Sequence, residues 1–415
     1  MIGSAAPGTQ FLFKAGPSAG SWSETWTLGD TPAHSANGTA QAPIVIGRYG
    51  TGLALFDEVG VHPYCIVAMK PAYPVNYLIL DHLECTHATS QGINFRTAQG
   101  FNPQNNLQGI VIRSLYVHNT GPGCSNTNGP CVGNDPGGYQ NQLNFEDDAG
   151  YPHNVQILYN TVKWCGGHNC LQVHYDTGSP RVMGNVVGPG CVHNCLDLKN
   201  VGNFANGNQA RVIGNTVTCG VSLGLCGVPG KPASAFYTQN NAPGPSGINN
   251  EQIEFEDNTG IDVSTGFNQT ANATGCGPAG CPIVSRYYNN TVYCATKAWG
   301  TFGLFAGSNG GSYGLSTLDA ENDIFDGCGQ ASISVDPGYA ASNPQAGSVT
   351  IEDYNDIGGS QGSPGFRFGG WSKGAHDVTN VDPMYVDRKI NLHLAPGSPM
   401  RGAGAPNIHP DIGAY

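Results

Sequence analysis

Four stretches of this 415-residue chain align on pairs of apolar residues: Ile93/Phe95, Leu143/Phe145, Leu171/Val173 and Leu196/Leu198. If each pair is the inward face of a short strand, the residues between and after the pair point outward. One outward column then reads Asn94, Asn144, Gln172, Asp197, the next Arg96, Glu146, His174, Lys199, and a third Ala98, Asp148, Asp176, Val201. Seven of those positions carry Arg, Glu, Asp, Lys or His in a chain that is only 11% charged, so the grid is expected to be a site and not mere solubilising polarity.

These residue types suit proton abstraction beside a carboxylate. An elimination on a uronic acid polysaccharide needs a base for the C5 proton and a cation for the enolate-like charge that develops. Arg96 could hold the substrate carboxylate in a bidentate manner. Asn144, Gln172 and Tyr237 (the last from the following rung, beside Gln239) are candidates for binding substrate, and Tyr237 could serve as the acid. Glu146, Asp148 and Asp176 offer hard oxygen ligands of the kind Ca²⁺ takes. Hydrolysis competes, because Asp148 and Asp176 on adjacent rungs would lie near the ~5–5.5 Å of a retaining carboxyl pair. C5 epimerisation through His174, Tyr175 and Asp176 shares the first step. A non-catalytic glycan-binding or surface protein also stays open, with Trp164, Trp299, Trp371, Tyr237 and Phe236 as stacking platforms.

The elements that must position this grid are rungs of a solenoid. Residues 165–174 and 191–199 overlay, with Asn169/Asn194 and Cys170/Cys195 both 25 apart. An Asn followed by a small residue or Thr and then an apolar one recurs at Asn160, Asn185, Asn215, Asn258, Asn290, Asn322 and Asn355. Asn tolerates left-handed bends and can bond to its copy on the next coil. Sixty-one glycines argue against helices, and short β-branched runs broken by Gly, Asn and Pro read as many short strands.

On these residues the chain resembles secreted bacterial right-handed parallel β-helix proteins of the pectate-lyase-like superfamily. Phe11–Gly16 and Gly38–Gly50 look like the opening coils of that group. Asp382–Asp387, Leu394–Pro399 and Asp411–Tyr415 are similar to its closing segment. The resemblance implies an all-β right-handed parallel β-helix with capped ends, in which a Lys or Arg often acts as base with calcium held by acidic residues. Lys199 is the matching base, with His174 assisting. Asp197 sits two residues before Lys199, and the expected arginine beside the lysine is missing. The expected organisation is capping coils at 1–60, the β-helix at 61–375 and a wrapping C-terminal segment at 376–415, with loop insertions at 119–139, 219–233 and 264–282.

A formal charge of −12 and scattered Lys and Arg speak against a nucleic-acid partner. No run approaches the roughly 18 apolar residues of a membrane span. The N-terminus lacks signal-peptide regions and reads as a mature secreted form with an added start residue. Fourteen cysteines, with close pairs Cys124/Cys131, Cys219/Cys226 and Cys276/Cys281, point to disulfides and an oxidising compartment, extracellular or periplasmic. Cysteines on neighbouring rungs, Cys165/Cys191 and Cys170/Cys195, could also be bridged. The expectation is a secreted monomer acting on an extracellular polysaccharide.

Overall fold

The computed structural model describes residues 5–16, 20–97, 107–131, 140–147, 150–226, 233–240, 251–271, 283–294, 302–308, 316–335, 347–358, 366–367 and 373–414. Three sheets of 11 strands run along the chain, and each coil contributes one strand to each sheet in sequence order. Every strand pairing within them is parallel, and Asn169–His174 lies in register on Asn194–Lys199. This is a right-handed parallel β-helix. An antiparallel strand pair, Tyr385–Asp387 with Asn391–Leu394, lies in the segment that follows the last coil.

Coiling begins near the start of the sequence. The segment expected to hold capping coils, 1–60, supplies Gln10–Lys14, Trp26–Thr27 and Ala54–Asp57, one strand to each sheet. Thr265–Ala271, expected to open an insertion, is likewise a sheet strand paired with Ser234–Asn240. Its Gly, Asn and Thr content disguised a run whose inward Phe267 stacks on Phe236 at 4.8 Å.

Alternate residues of every strand fill the interior. Leu143, Leu171, Leu196 and Phe236 form one buried row and Phe145, Val173 and Leu198 the next. Each such side chain contributes about 1.5–3 kcal/mol on burial, so the stack is held mainly by these rows.

Corners are fixed by a second row. Asn160 donates from its backbone N–H and Nδ2 to Asn185 Oδ1 at 2.9 and 3.0 Å. Asn185 does the same to Asn215, Asn215 to Asn258, and Asn258 to Asn290. Each Nδ2 also reaches a main-chain carbonyl, as Asn215 does to Val182 at 2.8 Å. Expected next was Asn322, but the rung is filled by Asp323, whose Oδ1 accepts from Asn290 N and Nδ2. The register explains it: Thr291 pairs with Ile324, so the residue before Ile324 occupies the corner. Asn215→Ala would strand the buried Asn185 donors and the Val182 carbonyl. We expect it to lower stability by about 3 kcal/mol, counting roughly 1 to 3 for each unsatisfied buried group, read as a fall in the urea midpoint.

Disulfides join Cys65–Cys85, Cys124–Cys131, Cys165–Cys170, Cys191–Cys195 and Cys294–Cys328. The rung-to-rung pairings Cys165/Cys191 and Cys170/Cys195 do not form. Cys165 ends one strand and Cys170 follows at the start of the next, so the corner brings their Cα atoms to 5.4 Å. Gly166 and Gly167 allow that corner, because a Cβ on Gly167 would meet Gln140 O at 1.9 Å. Cys219 and Cys226 are thiols, not the expected pair, and Cys276/Cys281 lie outside the described residues. The disulfides fit an oxidising compartment. Among the described residues, no helix is long and apolar enough to cross a membrane.

After the last coil strand, Val378–Thr379, the chain folds back over one sheet. Tyr385, Leu392, Leu394, Met400 and Ile412 pack there on Ile261 and Ile324. The Gly413 and Ala414 amides donate to Asn322 O and Thr291 Oγ1 at 2.6 and 2.9 Å.

Candidate functional site

The site lies on the outer face of the sheet that contains Ile93–Arg96, Asn141–Glu146, Asn169–His174, Asn194–Lys199 and Ser234–Asn240. Direct pairing places Asn94, Asn144, Gln172, Asp197 and Tyr237 in one column. Arg96, Glu146, His174, Lys199 and Gln239 form the second. Strands about 4.8 Å apart bring successive members of a column within reach of one another.

The first column is a chain of amides leading to a carboxylate. Asn144 Nδ2 donates to Asn94 Oδ1 at 2.9 Å, and Gln172 Nε2 to Asn144 Oδ1 at 2.8 Å. Asn169 Nδ2 donates to Gln172 Oε1 at 3.0 Å and to Asp197 Oδ2 at 2.7 Å. Asn194 Nδ2 adds a bond to the same oxygen at 3.2 Å. In the sequence Asn169 and Asn194 stand out only as equivalent positions of the 25-residue repeat. Their spacing was the available signal: each stands three before a polar column residue, as in Asn141/Asn144, Asn169/Gln172 and Asn194/Asp197.

Asp197 is fully buried and is the hub. His174 Nε2 lies 3.1 Å from its Oδ1 and Lys199 Nζ 3.6 Å from its Oδ2. Burial works to raise its carboxyl, but Lys199, His174 and the Asn194 amide outweigh that and hold it well below the ordinary carboxylate range. His174 is shifted the other way. Burial and the Lys199 charge push its pKa down to about 4, against the pull of Asp197. It is therefore a neutral imidazole at pH 7. With Nε2–H assigned to the Asp197 carboxylate, Nδ1 carries the lone pair.

Lys199 Nζ also sits 5.7 Å over the Tyr237 ring, a distance at which the ring face attracts a cation. The Tyr237 hydroxyl is 2.8 Å from Thr270 Oγ1, a partner on the next strand that the sequence reading did not include. Burial raises the Tyr237 pKa above the usual phenol value, with Asp197 and Glu251 adding to it. Tyr237 is thus a weaker acid than a free phenol.

Arg96 does not join this cluster. Its guanidinium pairs with Glu146 at 3.4 Å, two rungs from Lys199. Gln172 Nε2 also contacts Glu146, at 3.5 Å.

The third column is not a column. Tyr175 and Asn200 adopt positive φ (62° and 50°), so the chain turns off the sheet after His174 and Lys199. Asp176 is swung into the interior. Its Oδ1 accepts from the His153, Asn154 and Gly178 amides and its Oδ2 from Val155, at 2.8–3.1 Å. It is a corner clamp, and calcium would have to displace four backbone donors. Asp148 and Ala98 lie outside the described residues. With Asp176 committed and Glu146 paired, the described donors do not fit a calcium site. Among the described residues, the single group of three potential metal-ligand side chains is Cys195, Cys219 and Cys226, with Cys195 already in a disulfide.

Of the proposed aromatic platforms, Phe236 is wholly buried in the core, Tyr237 is 8% exposed, and Trp299 and Trp371 lie outside the described residues. A cavity of about 680 Å³ lies away from this face, under the C-terminal segment, and holds none of these side chains.

Compared with family models, with curated proteins and with solved structures, the chain matches none of them. The long, all-parallel, three-sheet coil stands as the fold of a parallel β-helix.

Proposed function

We propose that this chain is a secreted member of the pectate-lyase-like superfamily that cleaves an acidic polysaccharide by β-elimination at the strand face. The observation that carries the reading is the buried Asp197 bridging a neutral His174 and a cationic Lys199. The lysine's pairing changes its expected role: it meets the substrate carboxylate as a cation, and His174 is the base.

The chemistry balances on these groups. Nδ1 of His174 takes the C5 proton, the C–H electron pair becomes the C4–C5 double bond, and the C4–O bond breaks. Lys199 neutralises charge on the adjoining carboxylate, which makes the C5 proton more acidic. The bound carboxylate in turn places an anion near the imidazole and strengthens it as a base. The leaving oxygen takes back the proton from the His174 imidazolium, a far better donor than the weakened Tyr237 phenol. Asp197 holds the ring and its tautomer, as the carboxylate does in a hydrolytic triad. Asn144, Gln172 and Tyr237 would line the path of neighbouring sugar units.

Hydrolysis is less well supported, since the retaining pair imagined for Asp148 and Asp176 loses Asp176 to backbone amides. Asp197, bound by both asparagines, His174 and Lys199, is a poor nucleophile. The test is incubation with pectic, alginate and glycosaminoglycan substrates, following the ultraviolet absorbance of the unsaturated product with and without chelator. We expect absorbance to rise on one acidic substrate and to persist in chelator. New reducing ends without absorbance would replace the reading with a hydrolase. Altered uronate stereochemistry without cleavage would replace it with an epimerase.

A further inference from the structure

Where the C-terminal segment leaves the coil surface it roofs a cavity of about 680 Å³. The floor is two neighbouring strands of one sheet, Thr216–Thr218 and Thr259–Val263, which present Thr216 and Thr259. The roof is Ile390, Asn391, Leu392, His393 and Ala414. On the next rung Thr291 occupies the same column, but there its hydroxyl is consumed by the Ala414 amide. The tail thus seals the threonine row at Thr291 and stands off from it at Thr259 and Thr216.

Asp257 supplies the polar wall. It is held at φ 53° at the corner before Thr259, its carboxyl bonded by the Asn289 side chain. Its Oδ1 is buried with no hydrogen-bond partner among the described residues. Asp257 as a residue lines the cavity and gives it an acidic wall. Ile261 and Leu392 give an apolar side, and Ile390, 77% exposed, stands at the rim. No Lys or Arg lines the cavity.

We propose that this cavity is a second glycan site, separate from the strand face, that binds a short neutral saccharide. Two hydroxyls one rung apart, a carboxylate, an amide and an imidazole match the alternating donors and acceptors of a sugar edge. The isoleucine and leucine side chains suit the C–H face of a ring. The volume falls in the range of ligand pockets and suits one or two sugar units. An acidic unit is disfavoured, because Asp257 would repel it with no lining cation in compensation. The strand face has the opposite selectivity, carrying Lys199 and Arg96. The proposal does not depend on turnover at that face.

The test uses full-length protein, with Lys199→Met to weaken the strand face and Thr259→Trp to fill the cavity from the outer side of the coil. Calorimetric titration with neutral disaccharides (cellobiose, xylobiose, mannobiose, galactobiose) should show saturable binding by the wild type and Lys199→Met. Thr259→Trp should weaken it at least about tenfold, a change of one factor of ten in Kd. Asp257→Asn, which tolerates the same positive φ, should weaken it less while the protein keeps its thermal midpoint. Turnover on the acidic substrate should be unchanged in Thr259→Trp. The proposal is overturned if no neutral disaccharide binds, if binding survives Thr259→Trp, if Lys199→Met abolishes it, or if only uronic disaccharides bind.

Discussion

His174→Gln should lower kcat by roughly 10²- to 10⁴-fold, the range for loss of a positioned acid or base, with little change in KM. Glutamine can still donate to Asp197 from its amide but offers no basic nitrogen, so packing is kept and proton transfer is lost. Lys199→Ala should act differently, raising KM as well as lowering kcat, because it removes a contact made in both ground and transition states. The pH profile gives a second readout. A base held down to about 4 is deprotonated at and above that pH, so kcat/KM should fall only as pH drops through about 4. The kcat limb, which reports the complex, should sit higher, since the bound carboxylate opposes the shift. Substantial turnover in His174→Gln, with activity lost in Lys199→Ala and an acid limb far above 4, would hand the base role back to the lysine.

The strand face was legible in the sequence because its signal was local and repeated. Period-2 alternation around Leu171/Val173 and Leu196/Leu198, together with the 25-residue repeat, was enough to lay out which residues share a column. Direct pairing of His174 with Lys199 and of Asp197 with Tyr237 follows that layout. What the sequence could not convey was where each strand stops. Tyr175 and Asn200 look like ordinary strand residues, yet their left-handed backbone ends the sheet one residue short of Asp176. That single turn converts a supposed metal ligand into an acceptor for four amides. The cysteines were misassigned for a related reason. Spacing along the stack suggested rung-to-rung bonds, whereas the corner brings Cys165 closer to Cys170 than a linear reading allows. Roles also escaped the sequence: the asparagines that bind Asp197 and the burial that neutralises His174 depend on packing from three coils at once.

The asparagine row carries the other large effect. Asp323→Asn should stabilise the protein at pH 8 by an amount on the order of a few kcal/mol and do little near pH 3. In every neighbouring rung the side-chain nitrogen donates to a main-chain carbonyl, as Asn290 does to Phe255 and Asn355 to Ala320. At Asp323 a carboxyl oxygen stands in that place, and Oδ2 has no partner among the described residues. Only a protonated carboxyl can donate there. Burial accordingly pushes the Asp323 pKa up to about 8, despite the bonds from Asn290 and with Glu321 adding to the rise. The sign follows from proton uptake. The unfolded chain loses this proton near 3.8 and the folded chain near 8, so between those values the folded state binds more protons. Stability therefore declines as pH rises through that window, and the declining part is what asparagine removes. Urea midpoints of wild type and variant, measured from pH 3 to pH 9, should converge at the acid end and separate steadily toward pH 8. Parallel curves would show that the carboxyl titrates as it does in the unfolded chain, and that the row tolerates an anion at a fully buried corner.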